Sequence, residues 1–584
     1  MKNIIIFLAA FCLIAVSCND SFLERYPTHD MNNNSYWKTA SDLKVYNNGI
    51  YNLMAYNDDY LFYVGFGHSA WGSATLSEVA LEAKTDNFAS TVSEHQTYTK
   101  IAAGQEIIPN DPGAGEWKWA LLRNCNVFFA NYQQAEISDQ EKNRYAGEVY
   151  FFRAWFYMDK AQVYGDVPYV TIPLETDSPE LYYPRTPRKQ VMDSVLRDLN
   201  KAIEFLPESW PTDHPDRVTK WTALALKSRF CLYEGTFRKY HNLGDHESYL
   251  KEAVAASEAL MESKQFEIYN TGNVTQDYRT LFTSKDLDNN KEIIHARKYS
   301  TVTMAHRMSG YIVTQSAGVT KDLVDDYLCL EADGTVKPIA LSTIYRDGSI
   351  EEVFDNRDPR MAQTILDPRD EKEILRTNNG YPRLSGMSGW ASTTGYHFIK
   401  HYNYDDDMLV KEESDAPIFR YAEVLLNYAE AKAELGTITQ NDLDLSVNLI
   451  RKRAGIPDMP VNPVMDPKYA SEGLSSLMVE IRRERRIELS FELSRYQDLM
   501  RWKKGSYLTK RVLGMRFEDS DRTDPHYEKI ERVYTIEVDG KKYIDVFAGT
   551  DFVNRVFQEN KHYYHPIPVN VISKNPALGQ NPNW

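Results

Sequence analysis

Few groupings in this 584-residue chain have the residue types and spacing that chemistry demands. Asp286-Leu287-Asp288-Asn289-Asn290 opens like a calcium loop, in which oxygen ligands fall at alternate positions. Lys291 stands where the sharp turn needs glycine, and Arg297 where a bidentate glutamate would close the shell, so it is no EF-hand. His397 and His401 have the i, i+4 spacing of a helical metal pair. The segment Gly395-Tyr396-His397-Phe398-Ile399 reads as a strand, however, and a strand discards that geometry; both are expected as surface or core histidines. No GxSxG, HExxH, P-loop or GxGxxG motif occurs. A glycosidase needs only two carboxylates about 5–9.5 Å apart, a requirement that 83 acidic residues neither single out nor exclude. Cys125, Cys231 and Cys329 are widely spaced and form no CxxC or Cys/His cluster, so they are expected as buried apolar residues. No metal, no cofactor and no catalytic constellation is expected.

The remaining chemistry lies at the N-terminus. After Met1-Lys2-Asn3 an apolar run of thirteen residues extends from Ile4 to Val16. It is too short to cross ~30 Å of hydrocarbon but has the length of a signal-peptide core. Ala15-Val16-Ser17-Cys18 resembles a bacterial lipoprotein signal, which makes Cys18 the expected lipidation site and lets Cys12 leave with the signal. Several acyl chains on one cysteine give a stable anchor, each buried CH₂ contributing ~0.8 kcal/mol. Residues 1–17 are thus read as signal peptide and 18–34 as a polar tether.

The elements that must position any site are helical. Periodicity runs from Tyr36 to Tyr56, while 57–115 reads as loops. Helical segments follow at 117–135, 141–164 (closed by Gly165), after Thr186-Pro187 (an N-cap followed by proline at the first helical position), after the N-cap Thr219, and at 248–264. They return at 419–435 and 441–454. Small residues at Ala422, Ala429, Ala433 and Ala454 allow close helix approach. Pairs of roughly 34 residues are the mark of tetratricopeptide-like stacking. The expected fold is therefore mostly α, an α/α superhelix of helix pairs with a loop-rich insertion at 266–417, divided as 35–265 and 266–584. A net charge of −16 without a long basic block excludes nucleic acid as an expected partner. The 39 Tyr and 10 Trp suit binding clefts and half-buried positions alike.

Five stretches resemble the SusD/RagB family of nutrient-uptake lipoproteins. The first is Arg153-Ala154-Trp155-Phe156-Tyr157 with Tyr164-Gly165-Asp166-Val167-Pro168-Tyr169. Then come Phe419 through Ala431, Asn448 through Gly455, and Ile481 through Leu489 with Arg495-Tyr496-Gln497-Asp498-Leu499 and Arg501-Trp502. His565-Pro566-Ile567-Pro568 with Gln580-Asn581-Pro582 ends the series, and Asn356-Arg357-Asp358-Pro359-Arg360 also fits. The resemblance implies a surface lipoprotein of the outer membrane. It would sit on a SusC-like TonB-dependent transporter and capture oligosaccharides, or in some members peptides, on a tetratricopeptide-like scaffold. A surface glycosidase and a generic tetratricopeptide adaptor are the rival readings.

Sugar rings stack their C–H faces on aromatic side chains while flanking polar groups bind the hydroxyls. On the loops at 57–115 and 266–417 the candidate ligand residues are Trp71, Tyr98, Tyr299, Tyr311 and Trp390, with Asp86, Asn87 and Arg307 as polar partners. The arginine run Arg482–Arg486 is expected to be a salt-bridged structural helix rather than an anion site.

Overall fold

A computed structural model describes residues 36–55, 78–211, 216–314, 316–370, 384, 392–403, 411–527 and 533–584. The signal peptide, the tether, Cys18, Trp71 and Trp390 lie outside the described residues. The chain is mostly helical. Its main helices are α1 (Ala40–Ala55), α2 (Gln96–Ala103), α3 (Ala120–Asn131), α4 (Asp139–Tyr164), α5 (Arg188–Phe205), α6 (Lys220–Tyr240) and α7 (His246–Ser263). These are followed by α8 (Asp277–Thr283), α9 (Met308–Thr314), α10 (Tyr421–Glu434), α11 (Gln440–Asp444), α12 (Val447–Ala454), α13 (Ser476–Glu488) and α14 (Arg495–Arg501).

Local chemistry sets the helix ends. Ser138 Oγ accepts from Glu141 N at the start of α4, and Gly165 ends it with φ 75°. Thr219 and Thr222 form a reciprocal capping box at the start of α6. Thr186 is not a cap: it exchanges backbone hydrogen bonds with Val167, and α5 begins only at Arg188. A residue before proline is driven to extended backbone, which explains the shift. The segment 441–454 is two helices, because Ser446 Oγ donates to Asp442 O at 2.5 Å and competes for the carbonyl that would carry the turn onward.

α4 packs along α5, α6 along α7, and α10 against α6, α7 and α13. The pairs approach closely where side chains vanish. A Cβ on Gly147 of α4 would lie 2.9 Å from Leu206 Cγ, and one on Gly235 of α6 would lie 2.8 Å from Leu250 Cγ. Ala422 and Ala429 are buried in the same apolar core, with Phe151, Trp155 and Phe419, and Ala454 is buried as well. Cys125, Cys231 and Cys329 are all buried, and burial pushes the Cys125 thiol up to about 12.

A second core lies under the loops and includes Phe88, Tyr299, Tyr311, Val319, Phe398 and Phe491. Short antiparallel ladders tie it together. β1 (Phe88–Ser90) pairs with β3 (Ala317–Val319), and β2 (Ile293–Arg297) with β6 (Ala416–Arg420), while β4 (Cys329–Leu330) pairs with β5 (Val336–Lys337). β7 (Leu513–Arg516), β9 (Lys541–Asp545) and β8 (Thr535–Val538) form a three-stranded sheet in that order.

Between the two cores runs a lattice of buried ion pairs centred on α13. Glu488 accepts from Arg360 at 2.9 Å, Arg420 at 2.6 Å and Arg453 at 2.6 Å. Arg482 pairs with Glu434, Arg483 with Asp466, Arg485 with Asp498 and Arg486 with Asp326. The arginine run is therefore structural. Breaking one such pair costs about 3–5 kcal/mol because the surviving charge is stranded.

Candidate functional site

The loop-rich body presents its candidate face around β1, β3 and residues 297–314. Thr91 N donates to Ser316 O, and Thr393 Oγ1 to Ala89 O at 2.7 Å, which locks the β1–β3 ladder. Behind it His95 is buried and sandwiched by hydrogen bonds: Ser90 Oγ lies 2.7 Å from Nδ1, and the Tyr311 hydroxyl reaches Nε2. Tyr98 on α2 is half-buried against the same cluster.

The segment leading into α9 is held from a distance. His306 and Glu412 exchange backbone hydrogen bonds, and the Glu412 carboxylate accepts from Ser309 N at 2.9 Å and Gly310 N at 3.3 Å. His306 Nε2 donates to Ser414 O at 3.0 Å, and Nδ1 accepts from Met308 N. Burial pushes His306 down to about 3, against the pull of that carbonyl, so its imidazole is neutral. Tyr299 meets His306 edge-on at 4.7 Å, and the Arg297 guanidinium lies 5.3 Å from the Tyr299 ring centre. The turn at 300–304, closed by two Ser300–Met304 backbone hydrogen bonds, projects Val302 into solvent at 89% exposure.

The expected ligand residues therefore divide. Tyr98 and Arg307 are half-buried on this face. Among the described residues no carboxylate pairs with Arg307, whose Nε is buried without an acceptor. Tyr299 and Tyr311 are only 6% and 5% exposed; their rings anchor the loops and leave little surface for stacking. Asp86 and Asn87 are turned inward. Asp86 takes both Arg495 nitrogens at 2.7 and 2.6 Å and also pairs with Arg486; Asn87 Oδ1 accepts from Arg486 Nε at 2.8 Å. Burial opposes the Asp86 charge, but Arg486 and Arg495 hold its carboxyl below the usual range. These two residues fasten the candidate face to α13 and α14. His95 and Glu412 were not legible in the sequence: His95 and Tyr311 lie 216 residues apart, and no motif links them.

The calcium-like loop carries its own cation. Lys298 Nζ lies 2.5 Å from Asp288, 2.8 Å from Asp415 and 3.6 Å from Asp286. Burial acts against its charge, but the bonds to Asp288 and Asp415 hold it above the ordinary lysine range. His397 and His401 are both buried in extended and turn backbone, and burial keeps His401 well below its ordinary value.

Comparison with known proteins adds the following. A family profile described as "SusD family" matches residues 258–584, and one described as "Starch-binding associating with outer membrane" matches residues 21–232. SusD-like protein P2 of Formosa agariphila is 25% identical over 521 residues, covering 87% of this chain and 92% of that protein. A SusD-like protein of Bacteroides ovatus is 21% identical over 610 residues, covering 100% and 98%. Among solved structures, a SusD-like carbohydrate-binding protein of Bacteroides fragilis superposes with a TM-score of 0.72 at 22% identity, over 93% of this chain and 99% of that one. A laminarin-binding SusD-like protein superposes at 0.59 and 18% identity, over 94% and 100%. At these identities the structural likeness is one of fold.

Proposed function

The chain belongs to the SusD family, and from that premise we propose that it captures oligosaccharides at the outer membrane and passes them uncut to a SusC-like TonB-dependent transporter. The observation that carries this reading is the likeness in fold, over nearly the whole chain, to SusD-like proteins whose names record carbohydrate or laminarin binding. Cys18 is the proposed lipid anchor. Trp71, Trp390, Tyr98 and Arg307 are the proposed ligand contacts, with Tyr299 and Tyr311 as buried supports of the described part of the face. The guanidinium of Arg307, unpaired among the described residues, offers several donors to sugar oxygens. Asp86 and Asn87 act from behind by holding the face in place.

Titration calorimetry tests this on residues 19–584 with Cys18 removed, against plant, host and microbial oligosaccharides and a peptide digest. The expected result is micromolar-to-millimolar binding of one glycan class without new reducing ends, lost in Trp71→Ala or Trp390→Ala. Heat from peptides alone would move the function to peptide import, and release of shortened sugar would make the protein an enzyme.

A further inference from the structure

A cavity of about 200 Å³ lies at the seam between the helix pairs and the C-terminal helices, and its lining does not include Tyr98, Tyr299, Arg307 or Tyr311. One buried water needs only about 10–15 Å³ of such space, so this cavity is large enough for a small organic molecule. Trp155, Tyr233 and Tyr496 contribute aromatic wall. Most charged groups around it are spent on one another. Arg229 pairs with Glu423 at 2.6 Å, Arg420 with Glu492 at 2.6 Å, and Arg485 with Asp498 at 2.8 Å.

Lys84, Asp159 and Gln497 on the wall are not spent in this way. The Lys84 ammonium lies 4.7 Å from the Tyr496 ring centre, and among the described residues no carboxylate pairs with it. Asp159, on α4, likewise has no hydrogen bond or ion pair among the described residues. Gln497 Oε1, on α14, is buried without a donor. All three side chains are half-buried rather than sealed. The turn that carries Tyr496 and Gln497 to the wall passes through Phe491 and Leu493, both at φ 63°, a left-handed conformation that bulky residues hold only under tertiary constraint.

We propose that this cavity is a second binding site, for a small zwitterion of the free amino acid class. The ligand ammonium would donate to Asp159 and Gln497 Oε1, and its carboxylate would accept from Lys84. A neutral sugar could hydrogen-bond to these groups but would give neither half-buried charge a bonded partner of opposite sign. Burial pushes Asp159 up to about 7 and pulls Lys84 below the ordinary lysine range, as expected of charges that lack a bonded partner.

The test is titration of the full chain with glycine, L-alanine, L-glutamate and L-lysine, read by calorimetry and by the intrinsic tryptophan fluorescence, to which Trp155 on the cavity wall contributes. Acetate, methylamine and D-glucose serve as controls. At least one amino acid binds saturably, with acetate and methylamine weaker by about tenfold or more. Lys84→Met and Asp159→Asn each weaken binding by about tenfold or more while melting cooperatively, and Arg307→Ala binds as the wild type does. Three results would overturn the proposal: no saturable binding of any amino acid, glucose binding as tightly as the amino acids, or unchanged binding in folded Lys84→Met and Asp159→Asn. None of these bears on glycan capture, which Arg307→Ala tests separately.

Discussion

Replacing Asp86 by Asn isolates the joint between the candidate face and the helical body. The side chain keeps its shape, but an amide NH₂ then faces guanidinium donors. Arg486 retains Asn87, Asp322 and Asp326. Arg495, only 4% exposed, loses the bidentate carboxylate that it holds at 2.7 and 2.6 Å. The cost is that of one stranded buried cation, about 3–5 kcal/mol. The measurement is the urea-unfolding midpoint at pH 7, compared at constant m. Because the Asp86 carboxyl is held below the usual range, its contribution is complete above the ordinary aspartate pKa of about 4 and is lost as pH falls through the depressed folded value. The gap between wild type and variant therefore narrows in acid. The double variant Asp86→Asn/Arg495→Met removes both charges and recovers most of the loss. A loss under about 1 kcal/mol, the size of an exposed pair, would refute the reasoning.

Glu82→Gln works in the opposite direction. Burial raises Glu82 from 4.5 to about 7, so the folded protein keeps a proton that the unfolded chain has shed, and wild-type stability falls as pH rises through that window. The variant should be more stable than wild type at pH 8, by about 1–3 kcal/mol, and equal to it near pH 4 in the same denaturation assay. Arg307→Ala should weaken oligosaccharide binding by about tenfold without moving the melting temperature, as calorimetry and a thermal melt would show together. Chelation of calcium should leave the melting temperature of the wild type unchanged, because Lys298 already neutralises Asp288 and Asp415. A drop on adding chelator would reassign that loop.

Much of the scaffold was legible because its signals are local. Thr219 caps α6 and Gly165 stops α4 through atoms a few residues away, and a long periodic segment such as α4 reads as a helix whatever packs on it. The two loop-rich stretches, 57–115 and 266–417, were not legible in this way. α9 starts where Glu412 satisfies its first amides from more than a hundred residues away, and α2 sits in a stretch whose Gly, Ser, Asn and Thr content reads as loop. The site shows the same division. Residue type marked the tyrosines as candidates, but type does not give direction: Tyr299 and Tyr311 point into the core, and Asp86 turns toward arginines some four hundred positions downstream. The arginine run was read correctly as structural, although its partners, scattered from Asp86 to Asp498, are set only by the fold.

Hydroxyl-radical footprinting of the chain with and without its bound oligosaccharide tests the central claim most directly. The account predicts protection of Tyr98, of the 300–304 turn, and of Trp71 and Trp390, with the exposed Tyr182 and Tyr183 of the helical body unchanged. Protection of Tyr182 and Tyr183 with Tyr98 unaltered would place the ligand on the scaffold and contradict it.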